Sequence, residues 1–222
     1  MIIFYLKQVP HPRSPFSGDG GNIKRKNRRI TLKSDRKRWD ERFEGEEFAF
    51  GKKPNPFLRI HVGLLPKGKA LDLAAGEGRN AVFLAQHGLD VDAVDISEIG
   101  LKKAQQLAGR SQVRVHTILA DLDTYQIQRG QYDLITNFYF LNRNLIPKMK
   151  GGLKKGGVVI FETYLLDHRK LHTGGPKNPK YFLKPNELLE FFKEFRILFY
   201  REGIFKEGGK KKAIASLIAQ KT

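Results

Sequence analysis

The chain has 222 residues and no cysteine, which allows one sizeable α/β domain and excludes a disulfide framework, a thiolate metal site and a cysteine nucleophile. Its formal net charge is +18, and residues 1–38 carry half of it, because eleven Lys and Arg residues less two Asp residues give +9. No apolar run reaches the length of a membrane-spanning helix, so we expect a cytoplasmic protein that binds no membrane.

Residues 1–34 are predicted to form a basic, disordered extension. Pro10, Pro12, Pro15 and the cluster Gly18–Gly21 leave little apolar surface to bury. A second interpretation is an arm that binds nucleic acid or another anionic surface, because clustered basic residues attract phosphates. We favour the solvated tail, and a start site assigned too far upstream is a third explanation.

Residues 35–222 are predicted to form one domain that begins with two helices, within 35–66, and continues with alternating strands and helices. Trp39 and Phe43 lie four residues apart on the apolar face of the first helix. This alternation favours right-handed crossovers and a mostly parallel sheet. The predicted strands are 69–74, 90–95, 113–119, 132–138 and 157–163, and the later helices are 80–87, 98–108, 143–150 and 186–194.

The last part of the chain departs from this alternation. Phe195–Phe205 and Ala213–Ala219 are apolar runs with a Gly-containing turn between them, which predicts an antiparallel hairpin. Before them, residues 165–183 form a long stretch rich in Gly and Pro. Such a stretch is typical of a lid or binding loop, and we expect it to contact the substrate.

Polar residues recur at the ends of the first four predicted strands. Asp72 ends the first strand, Asp95 ends the second, Asp121 follows the third and Asn137 ends the fourth. In open α/β sheets, ligands bind beyond the carboxyl ends of the strands. A single Asp at such a place is also a common helix N-cap, but four polar residues at one edge favour a cofactor site.

The turn after the first strand carries the strongest pattern. Ala74, Gly76 and Gly78 alternate with other residues before the next helix begins at Arg79 and Asn80. Glycine lets a ligand approach the backbone closely, and the first turn of a helix offers unpaired N–H groups. This layout is typical of a nucleotide-cofactor turn.

The acidic residues at this edge have the chemistry that a nucleoside cofactor needs. The Asp95 carboxylate, followed by Ile96, can accept hydrogen bonds from both hydroxyls of a ribose. Asp121 can accept from an adenine amino group while the N–H of Leu122 donates to a ring nitrogen. Asp72 is placed either to order the turn or to meet an ammonium group.

With these motifs, the chain resembles class I S-adenosylmethionine-dependent methyltransferases. The resemblance covers residues 35–220 and implies a Rossmann-like, doubly wound α/β sheet of seven strands in the order 3-2-1-4-5-7-6, with strand 7 antiparallel. It also implies S-adenosyl-L-methionine as the methyl donor and S-adenosyl-L-homocysteine as the product. The matching segments are Asp72-x-Ala74-x-Gly76-x-Gly78, with alanine in place of the family's first glycine, the strand ending in Asp95, Ala120-Asp121, and Leu153–Gly157.

Within that superfamily, the chain is most similar to the tellurite-resistance and thiopurine-type small-molecule methyltransferases. The similarity implies that Trp39 and Arg42 of the leading helix cap the methionine end of the cofactor, although packing explains Trp39 equally well. It rests on Gly76-x-Gly78-Arg79-Asn80, Leu84-Ala85, Gly88 and Trp39-x-x-Arg42-Phe43.

The resemblance implies methyl transfer to a small-molecule acceptor, such as a thiol or an oxyanion of the tellurite or selenite type. No catalytic residue is assigned, because the methyl donor is already activated and a thiolate, a selenide or a similar soft nucleophile needs no strong base. The basic residues near the substrate either attract an anionic acceptor or are solvated surface charge. The candidate substrate residues are Tyr139, Arg143, Tyr164, His168 and Arg169.

No metal site is predicted, since His168 and His172 lack an evident third ligand. A dehydrogenase would explain Gly76, Gly78 and Asp95, but dinucleotide-binding glycines normally follow their strand at once. A nucleic-acid methyltransferase that uses the basic arm is the more serious alternative, although no RNA-binding module is recognisable. A cofactor-binding subunit without turnover is the non-enzymatic alternative, and the chain is expected to be a monomer or a homodimer.

Overall fold

The computed structural model describes residues 34–207 and 209–222. Within them, Asp35–Thr222 forms one compact unit. The basic extension predicted for residues 1–34 therefore lies outside the described residues, apart from Ser34. In the described part of the chain, no helix combines the length and the apolar character needed to cross a membrane.

Seven strands form a single sheet in the order β3-β2-β1-β4-β5-β7-β6. The first five are parallel, and β7 is antiparallel to both of its neighbours. This confirms the predicted order, the antiparallel seventh strand and the C-terminal hairpin. The strands are β1 (Lys69–Leu73), β2 (Asp90–Asp95), β3 (His116–Leu119), β4 (Tyr132–Phe138), β5 (Leu153–Tyr164), β6 (Arg196–Glu207) and β7 (Lys210–Gln220).

Helices connect β1 to β2, β2 to β3 and β4 to β5, whereas the described residues 120–131 between β3 and β4 contain no helix. The described part of helix α1 spans residues 34–43. The other α-helices are α2 (Pro56–His61), α3 (Arg79–Gln86), α4 (Glu98–Arg110), α5 (Ile146–Gly152) and α6 (Glu187–Phe191). Short 3-10 helices lie at Val62–Leu64, Arg143–Leu145, Leu166–Leu171 and Pro179–Tyr181.

Several boundaries differ from the sequence prediction: β5 begins at Leu153 instead of residue 157, most other ends shift by one to three residues, and three differences have a local description. Strand β3 begins later than residue 113, because the Val113 N–H donates to the carbonyl of Ala108 and so still belongs to the end of α4. The helix predicted from residue 143 starts as a 3-10 turn and becomes α-helical at Ile146. The helix predicted over 186–194 is limited to Glu187–Phe191.

Both faces of the sheet are buried. Neighbouring residues of the central strand β4 belong to different apolar clusters, Leu134 to one and Ile135 to the other, and Val158 and Val159 divide in the same way on β5. Successive side chains of a strand point to opposite faces, so each cluster covers one face. This burial explains why the central strands have continuous apolar sequences, as expected of a doubly wound sheet.

The topology places a crevice at the carboxyl edge of the sheet. The strand order reverses between β1 and β4, so the crevice lies beyond the ends of these two strands. The β6–β7 hairpin projects past this edge, because β5 stops pairing with β7 at Ile214 while β6 stays paired as far as Lys210. The start of β7 is therefore beside the crevice.

Candidate active site

The turn between β1 and α3 bends sharply through left-handed backbone conformations. Ala74, Gly76 and Gly78 have φ angles of 54°, 55° and 80°. At Gly78 a Cβ atom would lie 2.5 Å from the Cβ of Ala104 on α4, so this position requires glycine for space as well as for conformation. Ala74 adopts this left-handed conformation too, although glycine is the residue that usually occupies it.

Asp95 fastens this turn to the end of β2. Its Oδ2 accepts a hydrogen bond from the Gly76 N–H at 2.7 Å, and its Oδ1 accepts one from the Ser97 N–H at 2.8 Å. Burial raises the pKa of Asp95, and the backbone donors oppose that shift. The N-cap of α4 is Ser97, whose Oγ accepts from the Gly100 N–H. The backbone N–H of Ile96, which is half-buried, also acts on the Asp95 carboxylate, and three backbone donors do not use all of its acceptor sites.

Asp72 is a buried acid with an unused oxygen. Its side chain is 1% exposed, and its Oδ1 accepts a hydrogen bond from Thr136 Oγ1 at 2.6 Å. Its Oδ2 has no hydrogen-bond partner among the residues that the structure describes. Burial raises the pKa of Asp72 to about 7, although Thr136, Arg79 and the backbone N–H of Ala81 act in the opposite direction. A buried carboxylate oxygen that makes no hydrogen bond of its own is suited to accept one from a ligand.

Two further predicted cofactor residues lie at the end of β3. The Ala120 N–H donates to the carbonyl of Asp95 at 2.9 Å, which places Asp121 next to the end of β2. Asp121 is half-buried, and its Oδ1 accepts from the Asp123 N–H at 2.9 Å. Leu122 is buried. The structure thus brings the segment of Asp121 next to the end of β2, and the predicted contacts of Asp121 and Leu122 with an adenine stay predictions.

The remaining predicted cofactor residues make structural contacts. Asn137 is buried at the end of β4 and donates from Nδ2 to the carbonyl of Phe140. Asn80 is buried and accepts from the Asn55 N–H at 2.8 Å, which joins α3 to the start of α2. Arg79 donates to the carbonyl of Phe50 at 3.1 Å, and burial lowers the pKa of its guanidinium. Their roles toward a cofactor stay predictions.

Helix α1 lies against the cofactor turn through Phe43. A Cβ on Gly76 would be 3.2 Å from Phe43 Cζ, and a Cβ on Gly100 would be 3.0 Å from Phe43 Cδ2. Trp39 stacks on Phe43 with ring centroids 5.6 Å apart, whereas Arg42 is exposed, with its guanidinium 5.5 Å from the Phe50 ring. The predicted roles of Trp39 and Arg42 at the methionine end stay predictions.

A buried ion pair that the sequence analysis missed holds the segment after α1. Lys103 Nζ lies 2.7 Å from Glu77 Oε1, and it also donates to the carbonyls of Gly45 and Glu47 at 2.8 and 2.7 Å. Glu77 stands between the two glycines of the turn, but nothing in the local sequence connects it with Lys103. The pair fixes the turn, α4 and this segment to one another.

On the other side of the crevice, the tyrosines at the ends of β4 and β5 meet. Tyr139 directly follows β4 with a φ angle of 56°, and its ring centroid is 4.9 Å from that of Tyr164. Lys212 Nζ donates to the Tyr139 hydroxyl at 3.0 Å. Lys212 comes from β7, 73 residues further along the chain, so its place here was not predictable from spacing.

The basic candidates for substrate binding have mainly structural contacts. His168 is buried with both ring nitrogens engaged, since Nδ1 accepts from the Ala213 N–H and Nε2 donates to the carbonyl of Gly174. Burial lowers the pKa of His168, which favours the neutral ring. Arg143 binds Glu187 through Nε at 2.6 Å, and Arg169 is exposed. A substrate role for these three residues stays a prediction.

The sequence analysis also missed a buried polar network next to the ends of β4 and β5. Glu162 on β5 is fully buried, and its Oε1 accepts from Asn55 Nδ2 at 2.9 Å. Its Oε2 accepts from Ser216 Oγ at 2.7 Å and lies 3.6 Å from Arg201 Nη2. The network links the segment before α2 to the C-terminal hairpin. Across the described ranges, no group of three or more His, Cys, Asp or Glu residues is arranged to hold a metal ion.

Comparison with known families agrees with this geometry. The profile of the family described as "Tellurite resistance protein TehB" matches residues 59–211, which is more than half of the chain. The chain belongs to the TehB family. The "Probable S-adenosyl-L-methionine-dependent methyltransferase TehB" of Haemophilus influenzae is 30% identical over 146 residues, which cover 61% of this chain and 49% of the relative. The chain thus spans about half the length of the curated TehB proteins that it matches.

Solved structures show the same fold. The crystal structure of TehB from Haemophilus influenzae superposes with a TM-score of 0.66 at 24% identity, covering 76% of this chain and 62% of that one. Magnesium protoporphyrin IX methyltransferase from Synechocystis with bound S-adenosylhomocysteine has a TM-score of 0.54 at 21% identity, covering 75% and 79%. The fold of this TehB-family chain is therefore that of class I S-adenosylmethionine-dependent methyltransferases.

Proposed function

We propose that the protein transfers a methyl group from S-adenosyl-L-methionine to a small-molecule acceptor. The observation that carries this proposal is the pair of carboxylates at the crevice, Asp72 with its unpartnered Oδ2 and Asp95 beside the turn. An ammonium group and a ribose diol are the groups that these two acids are suited to bind. The methionine and ribose parts of this cofactor carry them both.

The residues at this edge fit the cofactor in three further respects. The turn at Gly76 and Gly78 has left-handed backbone conformations and no side chains at these two positions, so a ligand can approach its backbone closely. Asp121 lies next to the end of β2, where the adenine amino group would need an acceptor. Family membership supports the same cofactor, since the relatives are named as S-adenosylmethionine-dependent methyltransferases.

When bound, the cofactor supplies an activated methyl group on a sulfonium sulfur. The chain's own task is then to align the acceptor's nucleophilic atom and to exclude water. Asp72 would hold the methionine end, while Asp95 would hold the ribose and the turn together. Tyr139 and Tyr164 stand at the ends of β4 and β5, where an acceptor would enter.

The acceptor class is the finer part of the proposal. A thiol or an oxyanion of the tellurite or selenite type agrees with the TehB family and with the basic residues around the 165–183 loop. A methyl-transfer assay tests this with S-adenosyl-L-methionine labelled in its methyl group and a panel of thiols, phenols, selenite, tellurite and tRNA. We expect a labelled small-molecule product. Transfer to tRNA alone would favour the nucleic-acid alternative, and cofactor binding without any transfer would favour a non-enzymatic subunit.

A further inference from the structure

We propose that Tyr139 is the general base that deprotonates the methyl acceptor, and that Lys212 is the positioning residue that stabilises its phenolate form. This inference rests on the proposed function for the identity of the reaction. The ionisation of the Tyr139 hydroxyl can be measured without any acceptor, so this part of the inference does not depend on the proposed function.

The position of Tyr139 supports a role in the chemistry. It follows β4 directly, at the place where the strand order reverses and the crevice opens. Its backbone has a φ angle of 56°, an uncommon conformation for a bulky residue, and its N–H donates to the carbonyl of Glu162 at 2.8 Å. Backbone strain of this kind persists where the surrounding structure holds it, and here it fixes a half-buried phenol at the crevice.

The contact with Lys212 gives the phenol its chemistry. Lys212 Nζ is 3.0 Å from the Tyr139 hydroxyl and 4.6 Å from the centre of its ring. An ammonium group that donates to a phenolic oxygen stabilises the phenolate over the phenol. The lysine is half-buried at the start of β7, so solvent screens the contact less than it would an exposed pair.

Of the other charged and titratable groups around Tyr139, some favour its phenolate form and others its phenol form. Arg79 at the start of α3 lies within electrostatic range of the hydroxyl and favours the phenolate. Glu162 on β5 opposes it, although its carboxylate is bonded to Asn55 and Ser216. Tyr164 stacks on Tyr139, and the neutral His168 stacks on Tyr164 with ring centroids 4.2 Å apart. Lys212 and Arg79 thus both favour the phenolate.

The proposed proton transfer and methyl transfer involve only the acceptor, Tyr139 and the sulfonium cofactor. The acceptor, a hydroxyl, a thiol or a protonated amine, loses its proton to the Tyr139 phenolate. Its freed electron pair forms the bond to the methyl carbon, while the sulfonium sulfur keeps the pair of the bond that breaks. The Tyr139 phenol then returns its proton to solvent. This role selects acceptors that carry a proton on the nucleophilic atom, and an acceptor whose nucleophilic atom carries none would not need it.

A spectroscopic titration tests the pair directly. The near-ultraviolet absorbance of phenolate is followed against pH in the wild-type protein and in Tyr139→Phe, because their difference isolates Tyr139 from the other six of the chain's seven tyrosines. We expect Tyr139 to ionise below the usual tyrosine range. In Lys212→Met its transition should move up by about one pH unit or more, and Lys212→Arg should restore it in part.

Lys211→Met is the matched control, because Lys211 is the preceding, exposed lysine and accepts from Thr173 only through its carbonyl. It should leave the titration unchanged. The inference is overturned if Tyr139 ionises in the usual range and Lys212→Met does not move it. If Tyr139→Phe fails to fold, the shift between wild type and the two Lys212 variants gives the same answer.

Kinetics separate this inference from the proposed function. With a thiol or phenol acceptor, Tyr139→Phe should lower kcat by about 100-fold with little change in KM, and Lys212→Met should shift the pH profile to higher pH. With selenite or tellurite, Tyr139→Phe should have little effect. A lowered Tyr139 transition without any methyl transfer would mean that the proposed function failed. Full activity of Tyr139→Phe with thiols or phenols would overturn the assignment of Tyr139 as the general base.

Discussion

The two sides of the crevice are built by different means. On the cofactor side, at the ends of β1 to β3, neighbouring strand ends hold one another, as Asp95 holds Gly76 and Ser97. On the proposed acceptor side, at the ends of β4 and β5, residues from the distant C-terminal hairpin contact the strand ends, as Lys212 contacts Tyr139. One side is made of local turns and the other of contacts across the whole domain.

This difference indicates where the molecule can vary. The cofactor side must present fixed donors and acceptors to one ligand, so a rigid turn between adjacent strands suits it. The proposed acceptor side is flanked by the predicted binding loop over residues 165–183 and by the hairpin, and loops on a rigid sheet are where specificity changes most readily. We therefore expect substitutions on the acceptor side to affect the choice of acceptor while leaving cofactor binding intact.

The largest expected effect comes from breaking the polar network of the acceptor side. Glu162→Ala removes the acceptor of Asn55 and Ser216 and leaves Arg201 without its carboxylate. Leaving the buried donors of Asn55 and Ser216 without their acceptor costs about 1–3 kcal/mol for each donor, which denaturant unfolding would measure. Glu162→Gln keeps the shape and an acceptor oxygen and should lose less. Equal stability of Glu162→Ala and wild type would contradict the proposed importance of this network.

The next largest effect is expected on the cofactor side, where two glycine variants distinguish the cost of a left-handed backbone from the cost of a steric clash. Gly78 and Gly88 have nearly equal φ angles of 80° and 81°, but only Gly78 lies against Ala104, and a Cβ on Gly88 meets nothing within 4 Å. Gly88→Ala should therefore cost about 1–2 kcal/mol, from the left-handed backbone alone. Gly78→Ala should cost about 1–3 kcal/mol more and weaken cofactor binding. If the two variants lose equal stability, the close packing of the turn on α4 is not important.

The smallest effect is a pH dependence of cofactor affinity through Asp72. Because its pKa is about 7, Asp72 is mostly neutral at lower pH and charged at higher pH. Affinity for S-adenosyl-L-methionine should therefore rise about tenfold between about pH 6 and pH 8, since the charged form binds the ammonium group. Asp72→Asn should bind weakly and without this slope. Binding that is independent of pH in the wild type would show that Asp72 does not meet the ammonium group.

Asp72 also makes stability depend on pH, and in the opposite direction, because the stability that it contributes falls as pH rises. Its folded pKa lies above the unfolded value, so the folded state holds a proton that the unfolded chain releases. The stability contributed by this group falls as pH rises from about 4 to about 7 and stays low above that. Asp72→Asn should therefore unfold at a higher denaturant concentration than wild type near pH 8. A buried acid that lowers stability without a ligand is consistent with a binding role.

The sequence predicted the features that depend on local pattern. The strand order followed from a resemblance carried by Asp72 and the glycine turn, and the hairpin followed from two apolar runs. Contacts such as Lys103 with Glu77 and Lys212 with Tyr139 join residues far apart in the chain, and no local pattern marks them. His168 was predicted from its chemistry alone, since its burial and its two backbone partners depend on the folded loop.

Calorimetry with S-adenosyl-L-methionine, S-adenosyl-L-homocysteine and NAD(H) tests most directly whether the crevice beyond β1 and β4 is a methyltransferase cofactor site. We expect micromolar binding of the first two and none of NAD(H). Asp95→Ala should weaken binding by about 2–4 kcal/mol, because both carboxylate acceptors are lost. Asp90→Ala, an exposed acid at the opposite end of the same strand, should not change it. Binding of NAD(H) alone would contradict the assignment and favour a dehydrogenase.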